Sequence, residues 1–159
     1  MRPDCLPSFV RLVFGVLLVG LVAGSALPAL AYSGIETTHR VRMYWTETYN
    51  ELGYVDIDLF GEVSPRHVAN FLRYVDNGIY DYSYIHRSQA GDLRFLQGGS
   101  FYTPDPFSVN AMQSRPITTS YGPIKNEFDA SNGLSNVPGT LAAARPGGSN
   151  VDTATAGWF

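Results

Sequence analysis

A tyrosine-rich run over residues 79–85 that delivers His86-Arg87, followed eight positions after Arg87 by Phe95-Leu96-Gln97-Gly98-Gly99, most constrains how this chain can fold. The first part reads as a strand, Ile79 to Ile85, ending in a cation. The second reads as a short strand that stops at two glycines, residues used where the backbone must turn sharply or approach another group closely. Taken alone, an arginine after a strand reads as a surface charge and Gln-Gly-Gly as a turn; the blocks that flank them decide the reading.

The flanking chain points to a β-rich domain. Val41 to Thr46 and Tyr54 to Phe60 both alternate with period two, and Asn50-Glu51-Leu52-Gly53 between them predicts a turn, so the pair is expected as an antiparallel hairpin. Val55, Ile57 and Leu59 fall on one face and Tyr54, Asp56 and Asp58 on the other. Two carboxylates at that spacing suit an acid/base pair, but a solvated strand face is the expectation. Ser64-Pro65 predicts a helix start, with a hydroxyl cap and proline at the first position. Val68, Phe71, Leu72 and Val75 make its apolar stripe, Arg66 and Arg73 face outward as solvated charges, and Asn77-Gly78 stops it. Ser100 to Tyr121 reads as a long surface loop, and Gly139 to Arg145 as a small-residue strand. Ten Tyr and nine Phe fit a β-rich core or a ring-lined groove.

At 159 residues the chain holds one domain. A formal charge of −3 disfavours nucleic acid or anionic lipid as a partner. Residues 1–31 read as a secretory signal: Arg2 and Arg11, an apolar core from Leu12 to Val22, and a small-x-small end at Ala29-Leu30-Ala31. They are expected to lie outside the fold, with the mature domain, residues 32–159, starting at Tyr32 and reaching the periplasm or medium. An uncleaved membrane anchor is the alternative, since the apolar stretch approaches spanning length. The one cysteine, Cys5, lies in that leader, so no disulfide is available to the mature chain. His39, His67 and His86 are scattered and read as structural or surface residues, and no cluster has metal-ligand spacing.

The ordered blocks resemble cyclophilin-type peptidyl-prolyl isomerases. Those have a hairpin ending like Ile57-Asp58-Leu59-Phe60 and a helix like Ser64-Pro65-Arg66-His67-Val68-Ala69-Asn70-Phe71. The Arg/Gln block comes next, followed by Asn126-Glu127-Phe128, Ser131-Asn132, Gly139 to Ala144, and Thr153-Ala154-Thr155-Ala156-Gly157-Trp158-Phe159. The resemblance runs from about Val41 to Phe159. It implies a mainly β fold, an antiparallel barrel with a capping helix and a groove on its outside. It also implies X–Pro isomerisation during folding of exported proteins. On that mapping Arg87 is the catalytic arginine and Gln97 the groove glutamine. Phe95 and Phe159 line the proline pocket, Ala144 and Arg145 form the edge that meets substrate backbone, and Leu96 points to the core. Proline-containing polypeptides are the expected partners of a monomer that needs no cofactor or metal and, once the leader is removed, has no membrane contact.

The pattern also departs from the family. Nine residues separate Arg87 from Gln97, more than usual, and Gly91-Asp92-Leu93-Arg94 replaces the customary Pro-Gly-Phe, which puts Arg94 where a pocket phenylalanine is expected. Gly157 stands where many members have glutamine. Family domains continue past the position of Phe159, so the chain reads as a barrel incomplete at its C-terminus. A non-catalytic proline-peptide binding or chaperone-like module, and an inactive truncated remnant, are the alternatives to an active isomerase.

Overall fold

A computed structural model describes residues 8–13, 35–47, 50–91, 94–104, 115–117 and 121–159. The strands β2 (His39–Glu47) and β3 (Asn50–Leu59) form the expected antiparallel hairpin, in a register that pairs Val41 with Ile57 and Met43 with Val55. Residues 48–49, between the two strands, lie outside the described residues. Asn50 to Gly53, expected as the turn, are instead the first residues of β3. A register shift between Trp45 and Thr46 lets the ladder continue past Gly53.

Alternation sorts the hairpin's faces. Val41, Met43 and Leu59 are buried, while the other face carries a cross-strand ladder: Arg40 to Asp58, Arg42 to Asp56, and Tyr44 opposite Tyr54. Asp56 and Asp58 are therefore paired surface charges. Arg42 donates Nε and Nη2 to the two Asp56 oxygens at 2.7 and 2.8 Å and lies 4.0 Å above the Tyr54 ring.

The helix α1 (Pro65–Asp76) buries Val68, Phe71, Tyr74 and Val75 against the hairpin's inner face, with Leu72 half-buried beside them. Each such apolar side chain contributes about 1.5–3 kcal/mol through burial. Its C-terminus closes as the sequence predicts: Gly78 adopts φ 65°, with Gly78 N–H donating to Val75 and Ile79 N–H to Tyr74 at 3.0 Å each. At the N-terminus Ser64 occupies the cap position, but its hydroxyl makes no capping bond. A distant carboxylate takes that role. Glu127 accepts from the backbone N–H groups of Arg66 and His67 at 3.0 and 2.9 Å and from His67 Nδ1 at 2.8 Å. A carboxylate only accepts, so His67 Nδ1 bears the hydrogen.

Ile79 to Ile85 is not a regular strand. Turns closed by Asp81 to Gly78 and Ser83 to Tyr80 occupy residues 78–83, and Tyr82 sits at φ 60°, incompatible with an extended run. Only its end pairs, Ser83 bridging Tyr102. The short strands β4 (Arg87–Gln89) and β5 (Phe95–Gln97) are antiparallel, as are β6 (Phe101–Tyr102) and β7 (Arg115–Pro116). The predicted loop over residues 100–121 thus contains a two-stranded ladder and a buried Ile117, while residues 105–114 and 118–120 lie outside the described residues. A 3-10 turn covers Ala130–Asn132.

The fold is mainly β with one α-helix; its described strands form separate ladders, and closure into a barrel is not seen among them. The leader also differs from expectation. Ser8–Val13, the strand β1, runs parallel to β2 with Ser8 opposite Val41 and Val13 opposite Thr46. The outer edge of β2 offers unpaired N–H and C=O groups, and this apolar segment meets them. The proposed cleavage point at Ala31 and Cys5 lie outside the described residues. Among the described residues no helix is long and apolar enough to cross a membrane, and no group of three or more His, Cys, Asp or Glu could hold a metal.

Candidate functional site

Four stretches of backbone lie side by side to make one surface. Arg87 pairs with Gln97 and Gln89 with Phe95 across β4 and β5. Immediately after β5, Gly98 and Trp158 exchange backbone bonds at 3.0 and 3.1 Å. Beyond them Ala142 and Phe159 exchange two bonds at 2.9 Å, and Ala144 N–H donates to Gly157 at 2.8 Å. Local sequence explains the tight join. A Cβ on Gly98 would lie 2.5 Å from Trp158 Cζ2, and one on Gly99 2.6 Å from Trp158 Nε1, so the glycine pair is the floor on which the buried indole rests. Gly157 is also enclosed: a Cβ there would meet Ser100 Oγ at 2.8 Å and Ala144 Cβ at 3.4 Å, so a side chain at this position requires the Ser100 hydroxyl to turn away.

On this surface the Arg87 guanidinium stands 4.8 Å above the Phe95 ring, and Phe95 meets Phe159 edge-on at 6.3 Å. Arg87 is exposed; Phe95, Gln97 and Phe159 are half-buried. A cation thus borders a pair of rings, open on one side. Arg94 turns away, its Nε donating to the Gly91 carbonyl at 3.2 Å. The ring facing Phe159 is therefore that of Phe95, despite the longer loop. Of that loop, Asp92 and Leu93 lie outside the described residues.

His86 backs the site. Its N–H donates to the Gln97 carbonyl at 3.1 Å, and its ring meets Phe101 edge-on at 4.9 Å. Its Nδ1 is buried with no hydrogen-bond partner, and burial, then the neighbouring Arg87 charge, hold its pKa below the usual histidine value. A neutral, structural histidine agrees with the sequence reading.

Ala144 lies in the surface beside Gly157. The Arg145 guanidinium instead folds onto its own loop, 3.4 Å from the carbonyls of Pro146 and Gly148. Leu96 does not point to the core: it is 48% exposed and stands apart from the buried cluster. Across β4 its partner is the exposed Ser88, and the half-buried face of β5 is the one that carries Phe95 and Gln97.

Sequence reasoning missed the residues that hold the C-terminal segment in place. Tyr80 is buried and its hydroxyl donates to the Ala156 carbonyl at 2.7 Å, while burial, with neighbouring Tyr74, raises its pKa far above the usual phenol value. Asn70 Nδ2 donates to the Thr155 carbonyl at 2.8 Å. The doubled glycine at 98–99 was the available signal for a large side chain lying against it; nothing local marked Tyr80 or Asn70.

The arrangement is thus a cation beside an open pair of rings on a sheet surface. The chain matches the model of the family described as cyclophilin type peptidyl-prolyl cis-trans isomerase/CLD over residues 43–159 and belongs to that family. It is 36% identical over 123 residues to a peptidyl-prolyl cis-trans isomerase of Acinetobacter baylyi, covering 77% of this chain and 57% of the relative. To peptidyl-prolyl cis-trans isomerase A of Dickeya dadantii it is 34% identical over 107 residues, 67% of this chain and 48% of the relative. To peptidyl-prolyl cis-trans isomerase B of Escherichia coli it is 39% identical over 93 residues, 58% of this chain and 48% of the relative. The chain thus spans about half the length of these relatives. No solved structure matches it significantly.

Proposed function

We propose that this chain carries the rotamase site of a peptidyl-prolyl cis-trans isomerase that acts on exported polypeptides as a monomer, with the closed antiparallel barrel of its family as the complete architecture. The observation that carries the reading is the Arg87 guanidinium above Phe95, with Phe159 completing the apolar ledge. An X–Pro bond resists rotation because amide resonance makes it partly double, with a barrier of about 18–20 kcal/mol. Rotation breaks that resonance and localises a lone pair on the prolyl nitrogen. A donor aimed at that nitrogen bonds more strongly to the twisted state than to either planar one, and such differential binding accelerates the step.

Guanidinium is suited to the task because it stays charged and donates in a rigid fork. Phe95 and Phe159 grip the proline ring and exclude water, which strengthens the bond from Arg87. Gln97, paired across the ladder with Arg87, and Ala144, beside Gly157, hold the substrate backbone; Arg145 flanks the same edge. No proton, nucleophile or metal enters these steps. The leader reading belongs to this proposal too: residues 1–31 direct export and are removed after Ala31.

Exchange spectroscopy on an X–Pro peptide tests it. The wild-type chain is expected to accelerate cis/trans exchange, and Arg87→Ala to lower the rate about 10²–10³-fold with folding intact. Equal rates in the two proteins would remove Arg87 from the mechanism. Peptide binding without acceleration by the wild type would favour a binding module instead.

A further inference from the structure

Arginines around the ring pair differ from those elsewhere in how their charge is met. On the outer face of the hairpin, Arg40 and Arg42 are each matched by an aspartate across the ladder. At the Phe95–Phe159 surface Arg87 stands over Phe95, and Arg94 immediately precedes that ring. Arg145 follows Ala144, which bonds to Gly157 two residues before Phe159. All three are exposed, and among the described residues none lies within ion-pair distance of an Asp or Glu. Arg94 and Arg145 are held instead by backbone carbonyls of their own turns: Gly91 at 3.2 Å for Arg94, Pro146 and Gly148 at 3.4 Å for Arg145. A carbonyl steadies a guanidinium but leaves its charge uncancelled. The site is therefore rimmed by cations in a chain whose formal charge is −3.

Distance decides whether a substrate feels that rim. Arg94 is one residue from Phe95, and Arg145 is three residues from Ala142, the backbone partner of Phe159. Three residues of extended chain span about 10 Å, close to the screening length of about 8 Å at physiological ionic strength. A proline seated on the rings thus brings its neighbours, out to about three residues, within range of these charges. A Lys or Arg there meets like charge, whereas an Asp or Glu meets unpaired guanidinium donors.

We infer that Arg94 and Arg145 are specificity-determining residues, and that the site favours X–Pro segments carrying an Asp or Glu close to the proline over segments carrying Lys or Arg. The inference rests on the isomerase reading above. Arg87 remains the donor to the prolyl nitrogen. Arg94 and Arg145 act on encounter and binding, so the preference falls on KM and not on the rotation step.

Exchange spectroscopy tests it with X–Pro peptides that differ only in bearing Glu, Ala or Lys two residues from the proline, on each side in turn. At low salt kcat/KM should fall in the order Glu, Ala, Lys, with Glu about tenfold above Lys on at least one side. The gap should close in about 1 M salt, where the screening length is about 3 Å. Arg94→Gln and Arg145→Gln should each narrow the Glu/Lys ratio, and Arg94→Gln should leave the Ala peptide's rate unchanged. If the wild type accelerates all the peptides with equal kcat/KM, the inference fails while the isomerase reading stands. A full Glu/Lys ratio in the double variant also overturns it, because Arg87 alone then supplies the preference. No acceleration of any peptide removes the isomerase reading, and this inference with it.

Discussion

Two glycines with nearly the same backbone angle allow the contact beneath the site to be weighed against backbone strain. Gly99 has φ 72° and Gly133 has φ 76°, so alanine at either bears the same left-handed penalty, about 1–2 kcal/mol. Their surroundings differ. Around Gly133 nothing lies within 4 Å of an added Cβ. At Gly99 that Cβ would sit 2.6 Å from Trp158 Cδ1 and Nε1 and 2.8 Å from the Ala156 carbonyl oxygen, and Trp158 is only 5% exposed, so it cannot swing aside. Forcing an extra carbon into a packed interior adds about 1–3 kcal/mol. The expected losses are therefore about 1–2 kcal/mol for Gly133→Ala and about 2–5 kcal/mol for Gly99→Ala. At about 4 °C per kcal/mol, the two melting temperatures should differ by about 4–12 °C, read by circular dichroism on matched samples. Gly99→Ala should also displace Trp158 and, through it, Phe159, lowering isomerase activity while Gly133→Ala leaves it unchanged. Equal stability losses in the two variants would refute the claim that the glycine pair exists to admit the indole.

Other perturbations probe the remaining contacts. Burial alone would raise the Glu127 pKa, but the bonds from the His67 ring and from the His67 and Arg66 N–H groups outweigh it, so the carboxyl titrates below its usual value. A lowered folded pKa contributes stability that is present above the unfolded pKa, about 4.3, and lost as pH falls through the folded value. Urea melts below pH 5 should show that loss in the wild type and a weakened dependence in Glu127→Ala. That variant should also be less stable at neutral pH by about 0.5–2 kcal/mol, as for loss of a helix cap; an unchanged pH profile would remove Glu127 from the role. Tyr80→Phe strips the buried Ala156 carbonyl of its donor and should cost about 1–3 kcal/mol in chemical denaturation. Asp56→Asn alters only an exposed cross-strand pair and should leave both melting temperature and isomerase activity essentially unchanged; a large loss of activity would return Asp56 to the list of functional groups.

What the sequence determined by itself were the features decided within a few residues. The helix start at Ser64-Pro65, its stop at Asn77-Gly78 and the inward faces of β2 and β3 follow from proline geometry, a left-handed glycine and period-two burial, all of which are local. The Arg87, Gln97 and Phe159 positions were legible because they sit in ordered blocks that resemble a family. Tertiary structure alone decided what depends on partners far along the chain. Glu127 caps a helix 60 residues before it, so the Ser64 hydroxyl, the obvious local candidate, is not used. Tyr80 reaches Ala156 across 76 residues from a segment whose composition reads as strand but whose first turns follow from the helix cap at Gly78. Phe95, rather than the Arg94 that counting places in the pocket, meets Phe159, because Arg94 bonds to its own loop and the β5 register turns the next ring inward. Leu96 is exposed for the same reason: alternation along a strand says which residues share a face, and only the neighbouring layers decide which face is covered.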